Sequence, residues 1–309
     1  MAFTDRQQKI YTGIGLALMT VIIWSGNYVV ARGISKQLPP VSLAFYRWSM
    51  ASVCIAPLAF KKFIRQREIV FANKMYLFWT ALTGITIFNT FIYIGGHYTS
   101  AINLALIGTT SAPIFIVLLS VLFLKQPAGK FRITGMAICF AGILFLLSQG
   151  SFQKLVNFHF GKGDVLVLIS ALSFSVYRIL VRKRPVAIQP VVFLFSIFTL
   201  GTLLLLPFYI NELRQSAVPV NWTTNMFITI VYLGVGNSVI GFFGWNAAIE
   251  RLGAPSTALF ANLIPIFSTI EAVIFLDEQF SIVHLISGIV VIAGVVIANM
   301  RSKPVQAPA

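Results

Sequence analysis

Apolar residues along this chain gather into ten stretches of 15 to 24 residues, and polar residues gather into the short intervals between them. The stretches run approximately Tyr11–Gly33, Val41–Phe60, Met75–Gly96, Ile102–Leu124, Ile133–Leu147, Asp164–Val181, Val191–Tyr209, Met226–Ile249, Ser256–Leu276 and Ile282–Met300. None alternates apolar with polar as a half-buried strand would, and most are apolar around the full circumference of a helix. A helix crosses the roughly 30 Å hydrocarbon layer of a bilayer in about 20 residues. The pattern predicts an all-α polytopic membrane protein of ten transmembrane helices. The first stretch is long enough to cross, so it reads as a span and not as a cleavable leader.

The sequence also repeats. Ser111-Ala112-Pro113-Ile114-Phe115 returns as Leu263-Ile264-Pro265-Ile266-Phe267, Phe123-Leu124 as Phe275-Leu276, and Ala141-Gly142 as Ala293-Gly294, each displaced by 152 positions. Pro40 and Pro57 return as Pro190 and Pro207, displaced by 150. Two copies of one unit follow, residues 1–150 and 151–309, with five spans in each. Five is odd, so the second copy enters the membrane from the opposite side, and the two repeats are inverted about an axis in the membrane plane. That architecture places a substrate site near the midplane, in a central cavity between the halves. Pro113 and Pro265 are expected to kink the fourth and ninth spans. Proline inside a soluble helix costs about 3 kcal/mol, but membrane neighbours re-satisfy the freed carbonyl.

Composition supports the same class. The chain is 58% hydrophobic and 10% charged, with a mean hydropathy of +0.87, whereas ordinary soluble domains carry about 25% charged residues. The net charge of +15 does not mark a nucleic-acid partner, because the basic residues lie in short loops between apolar runs. With the N-terminus in the cytoplasm, sixteen lysines and arginines fall on the inside and five on the outside, with Arg47 and Arg178 left within spans. The excess of positive charge inside places both termini in the cytoplasm. Cys54 and Cys139 sit within apolar runs and read as small packing residues. The chain has no G-x-x-x-x-G-K-[ST] phosphate loop, no G-x-S-x-G elbow and no metal-ligand spacing of His, Cys and carboxylates. We expect no enzyme activity, no cofactor and no bound metal.

Several motifs carry a family resemblance. They are Trp24-Ser25-Gly26-Asn27 in the first span, Phe45-Tyr46-Arg47 in the second, the prolines of the fourth and ninth, Leu276-Asp277-Glu278, and the glycine-bearing tenth span with Gly294. With the repeat and the topology, they make the chain resemble the drug/metabolite transporter superfamily, specifically its ten-span, twice-repeated EamA-type members. Among these it looks most like the bacterial exporters of aromatic and other amino acids. The resemblance implies a carrier of the bacterial inner membrane. In it, the third, fourth, eighth and ninth spans form a core, and the first, second, sixth and seventh move. One departure stands out. Lys125-Gln126-Pro127 occupies the place that Asp277-Glu278-Gln279 holds in the second half, so the family's glutamate occurs once.

Polar and aromatic residues within spans are the candidate site, since each costs free energy unless it meets water or a partner. In the first half these are Trp24, Asn27, Tyr46, Asn89 and Tyr93. In the second they are Tyr177, Asn237, Ser238, Trp245, Asn246 and Asn262. Tyr93 and Trp245 are related by the offset of 152 and could form opposed walls for a substrate ring. Glycines 234, 236, 241 and 244 around these residues fit close helix packing. Arg47 has two readings, bidentate recognition of a substrate carboxylate or a snorkelling, structural role, and the structural one is favoured. His97 reads as an exposed interfacial residue. Glu271, deep in the ninth span, is a candidate site of proton coupling.

These features point to a secondary transporter that exports small amphipathic metabolites, foremost amino acids including aromatic ones, by alternating access. Few buried charges argue against phosphorylated substrates. Two alternatives differ in mechanism or cargo. One is a drug or cation efflux carrier of the same fold, with Glu271 or Glu278 as the cation partner. The other is a passive channel. The partners are a small-molecule substrate and the lipid bilayer, with no nucleic acid, and small residues on the fifth and tenth spans leave either a monomer or a homodimer.

Overall fold

The computed structural model describes residues 5–124, 129–151, 153, 161–215, 222–253, 257 and 260–299. Its spans are α1 (Asp5–Gly33), α2 (Pro40–Ala72), α3 (Lys74–Gly95), α4 (Ala101–Leu124), α5 (Lys130–Leu147), α6 (Lys162–Arg182), α7 (Pro190–Gln215), α8 (Thr224–Leu252), α9 (Ala261–Leu276) and α10 (Ile282–Asn299). Among the described residues, seven of these are both long and apolar enough to cross a membrane. Three shorter apolar helices, Ile133–Leu147, Ala261–Leu276 and Ile282–Gly294, bring the set to ten. The Lys125–Pro127 segment, where the second half's glutamate motif has no equal, lies outside the described residues.

The spans pack in pairs that respect the repeat. α5 lies against α10 and α2 against α7. The contact of α1 with α8 is answered by that of α6 with α3, and the contact of α1 with α9 by that of α6 with α4. The strongest contacts thus recur when each span is exchanged with the one five places later, as in a bundle of two inverted five-helix repeats. Large apolar side chains face outward along it, including Val53, Leu122, Phe208, Phe275 and Ile282. In water such a surface would be a liability, and in lipid it is the solvated one.

Two departures from simple spans matter. α2 continues from Phe60 to Ala72, well past its apolar stretch. The segment Lys61–Ala72 contains neither glycine nor proline, so nothing in it stops the helix where the hydrophobicity stops. α3 and α8 also each contain a wide-turn π segment, Leu82–Ile87 and Tyr232–Ile240. Such turns free backbone carbonyls from the helical ladder and occur often at functional sites. Their carbonyls find partners on neighbouring spans: Ser173 of α6 donates to Thr83 O at 2.8 Å, and Trp24 Nε1 of α1 donates to Asn237 O at 3.1 Å.

At one end of the bundle two carboxylates of the second half cap helices of the first. Glu212, near the end of α7, accepts from Val41 N at 3.2 Å and from Ser42 N and Oγ at 2.6 and 2.8 Å, at the start of α2. α9 ends at Asp277 in a left-handed conformation (φ 52°), and Glu278 beside it accepts from Ala101 N at 2.7 Å and Ile102 N at 3.1 Å, at the start of α4. The first N–H groups of a helix have no partner within it, and the positive end of its dipole favours an anion. Arg32 adds a bond to Gly96 O at 3.1 Å on the same side. We call this the capped face. The opposite, basic face carries Lys61, Lys62, Lys183 and Arg184.

The caps make a direct test possible. Glu278→Ala should cost about 1–2 kcal/mol and lower the melting temperature of the detergent-solubilised protein by a few degrees, with Glu278→Gln losing less. An unchanged melting temperature for Glu278→Ala would show that α4 does not depend on this contact.

Candidate functional site

Arg47 lies about two turns into α2 and is only 4% exposed. A guanidinium taken from water into a protein interior loses several kcal/mol of solvation, so its surroundings must supply acceptors. Three other spans do. Asn27 Oδ1 of α1 accepts from Nη1 at 2.5 Å. Asn89 Oδ1 and Tyr93 Oη, one turn apart on α3, accept from Nη1 at 2.9 and 2.8 Å. On α8, Asn237 Oδ1 accepts from Nη2 at 2.7 Å and Ser238 Oγ from Nε at 3.0 Å. The guanidinium also sits 4.7 Å from the centroid of the Trp48 ring, a cation–π contact. Five of the polar residues singled out in the sequence thus converge on one cation.

The network continues into α1. Asn237 Nδ2 and Tyr232 Oη both donate to Ile23 O, at 2.7 and 2.6 Å. Ser25 Oγ donates to Glu271 Oε1 at 2.7 Å, while Glu271 Oε2 is buried without a partner among the described residues. Two glycines make these approaches possible. A Cβ on Gly26 would collide with Tyr232 Oη and one on Gly241 with Trp24 Nε1. The Gly241 N–H bonds to Gly236 O, five residues back. The Asn237 carbonyl, its partner in an ordinary α-turn, is therefore left to Trp24. The π segment thus positions Asn237 on Arg47, Ile23 and Trp24 at once.

A cavity of about 1440 Å³ opens beside this network. Trp24, Asn27, Arg47, Trp48, Asn89 and Asn237 form part of its wall, together with Trp245, Asn246, Tyr177 and Asn262. One aromatic wall is Trp24, 5.0 Å from Trp245 and 6.1 Å from Phe242 between ring centroids. The other is Phe174, stacked on Phe88 at 4.4 Å and on Tyr177 at 5.5 Å. Trp24 and Phe174 are related by the offset of 150, whereas the rings packed on them, Trp245 and Phe242 on one side and Phe88 and Tyr177 on the other, are not at equivalent positions. Towards the basic face the lining reaches Val181 and Arg182 at the end of α6 and Ile249 near the end of α8, and towards the capped face it follows α10 to His284 and Phe280.

The remaining sequence candidates are placed differently. Tyr93 is 1% exposed and Ser238 is fully buried. Both lie behind Arg47, and neither is on the cavity wall. The pairing of Tyr93 with Trp245 as opposed walls is therefore absent, and Phe88 stands where Tyr93 was expected. The π segment of α8 spans nine residues and that of α3 six, so the helices that follow them present different faces. Tyr46 is away from the cavity at the capped face, hydrogen-bonded to Tyr209 Oη at 2.8 Å and edge-on to Trp222 at 5.2 Å. Its neighbour Arg47 points into the bundle because adjacent helical residues project about 100° apart. Pro113 lies inside α4, but Pro265 is at the start of the α-helical part of α9, after the 3-10 turn Ala261–Leu263. Its missing N–H costs nothing there. Glu271 is half-buried against α1, off the cavity wall. His97 is exposed on the capped face, where partial burial holds its imidazole below the usual range, Glu212 pulls it back up and Arg32 pushes it down. Sequence reading missed Phe88, Phe174 and Phe242, because a phenylalanine among many in an apolar span carries no signal of which face it takes.

Residues 11–148 and 161–300 each match the EamA-like transporter family. An "Uncharacterized transporter" of Archaeoglobus fulgidus is 28% identical over 93% of this chain and 96% of its own length. A "Probable terminal-alkyne amino-acid exporter" of Streptantibioticus cattleyicolor is 24% identical over 95% of each chain. A solved crystal structure shares the fold with a TM-score of 0.63 at 16% identity, covering 97% of this chain and all of the other.

The network predicts an asymmetry between two asparagines of α8. Asn237→Leu removes an acceptor from Arg47 and a donor from Ile23 O, and should cost roughly 2–3 kcal/mol. Asn246, exposed to the cavity, should tolerate Asn246→Leu with an unchanged melting temperature. Thermal unfolding in detergent, followed by tryptophan fluorescence, compares the two, and equal losses would contradict the network.

Proposed function

This chain belongs to the EamA-like transporter family, and from that premise we propose that it exports small amphipathic metabolites, amino acids including aromatic ones, by alternating access. A multi-pass carrier in a bilayer must offer its cargo a site that both sides reach in turn. The observation that carries the reading is the cavity wall, in which aromatic pairs from both halves flank the amides of Asn27, Asn89 and Asn237. Rings suit an apolar side chain, and amides suit a polar, zwitterionic end. The exporter of S. cattleyicolor, named for an amino acid, supports the same class of cargo.

In this reading Trp24, Trp245 and Tyr177 hold the side chain of the substrate, while Asn27, Asn89, Asn237, Asn246 and Asn262 offer it hydrogen bonds. Tyr93 and Ser238 act through Arg47. The excess of basic residues assigns the basic face to the cytoplasm of a bacterial inner membrane, with both termini on that side. In this reading the basic face is the cytoplasmic one and the capped face the outer one. Glu271, with one oxygen bonded to Ser25 and the other without a partner among the described residues, is the group we assign to proton coupling, since a protonated carboxyl gains a donor at the oxygen that lacks one.

Purified protein in liposomes tests this. Saturable uptake of labelled phenylalanine and threonine, accelerated by unlabelled substrate on the opposite side, is the expected result. A pH gradient should drive it, and Glu271→Gln should remove that dependence while leaving exchange without a gradient. Folded protein that carries neither amino acid would refute the amino-acid assignment. Uptake of lipophilic cations in their place, lost in Glu271→Gln, would establish the efflux alternative.

A further inference from the structure

We propose that Arg47 binds the carboxylate of the transported molecule. The proposal rests on reading the cavity as the substrate site, and it does not depend on the cargo being an amino acid.

Three observations point to it. First, the charge of Arg47 is uncompensated. Buried cations are ordinarily paired with anions, but each of its hydrogen-bond partners (Asn27, Asn89, Tyr93, Asn237 and Ser238) is neutral. Dipoles and the Trp48 ring hold it in place and leave a positive charge on the cavity wall. Second, the guanidinium is not saturated. It has five N–H donors in a fork that matches a carboxylate. Nε–H goes to Ser238, Nη1 serves three acceptors with its two hydrogens, and Nη2 makes one bond, to Asn237. The second Nη2–H has no acceptor among the described residues. Third, the fold does not need a charge at this position. The counterpart of Arg47 in the second half, by the offset of 150, is Ile197, which is fully buried in the core. An apolar residue fills the same place in the inverted repeat, so the arginine serves something that only one half provides.

A carboxylate entering from the cavity would take the free Nη2–H and compete with the Asn237 amide for the other. It would replace a neutral acceptor with a charged one, in a site where charge-assisted bonds are the stronger kind. A single guanidinium matches a single carboxylate.

The test compares ligands that differ only in the acidic group. Full-length protein in detergent is titrated with phenylalanine, phenylalaninamide, 3-phenylpropionate and 3-phenylpropionamide, and binding is read from the shift in melting temperature. Each acid should bind about 30-fold or more tightly than its amide. Arg47→Lys, which keeps the charge and loses the fork, should narrow that ratio, and Arg47→Gln should abolish it. A purely structural role would lower the melting temperature of the ligand-free variants and leave the acid-to-amide ratio unchanged, which would overturn the proposal. Equal binding of acids and amides by wild-type protein would overturn it too, as would binding of neither acid. If Arg47→Gln fails to fold, the wild-type ratio and Arg47→Lys still decide. Strong binding of 3-phenylpropionate without phenylalanine would sink the amino-acid reading and uphold the carboxylate site.

Discussion

One buried guanidinium constrains this structure more than any other group. Arg47 cannot be left in an apolar bundle without acceptors, and the acceptors come from α1, α3 and α8. Three helices must therefore bring an amide or hydroxyl to the same depth, and α2 must sit between the halves. The π segments of α3 and α8 adjoin that demand. A straight α-helix would keep the Asn237 carbonyl in its own ladder, whereas the wide turn releases it to Trp24 and leaves the side-chain amide to serve Arg47 and Ile23. The cavity is the space beside this polar junction, and its aromatic walls come from α1 and α8 on one side and from α3 and α6 on the other.

The symmetry of the fold is broken where the chemistry is. The strongest span pairings repeat under exchange of the halves, and so do the proline-bearing spans and the ring positions of Trp24 and Phe174. Arg47 and Glu271 do not, since their counterparts are Ile197 and Leu119. Both lie within reach of α1, Arg47 through Asn27 and Glu271 through Ser25. α1 therefore lies between the cation on the cavity wall and the carboxylate behind it. In a carrier that works by exchanging two conformations, an element biased from both sides is where two ligands can influence each other.

Much of this was legible in the sequence, and for a physical reason. Lipid demands long apolar helices with satisfied backbones, so ten stretches and their repeat announce the fold before any contact is known. The polar span residues Asn27, Asn89 and Asn237 stood out because each needs a partner in an apolar setting. That this partner is Arg47 was not legible, since it depends on which faces α1, α3 and α8 turn inward. The π segments hid for a related reason, because Leu82–Ile87 and Tyr232–Ile240 have the composition of any apolar helix and differ only in hydrogen-bond register. Tyr46 and Arg47 are neighbours in sequence yet face different surroundings, a difference of one helical step that apolar flanks do not encode. The caps made by Glu212 and Glu278 join residues about 170 positions apart, beyond the reach of any local pattern.

The central claim is that the cavity beside Arg47 opens to one side at a time. It is tested by placing a single thiol in the cavity, Asn246→Cys in a chain whose Cys54 and Cys139 have been replaced. A membrane-impermeant thiol reagent is then applied to right-side-out and to inside-out vesicles. Labelling from the basic face alone is expected at rest, with reactivity moving to the capped face when a substrate gradient drives turnover. Equal labelling from both sides at rest would mean a continuous pore, and the account of a closed, capped face and a one-sided cavity would be wrong.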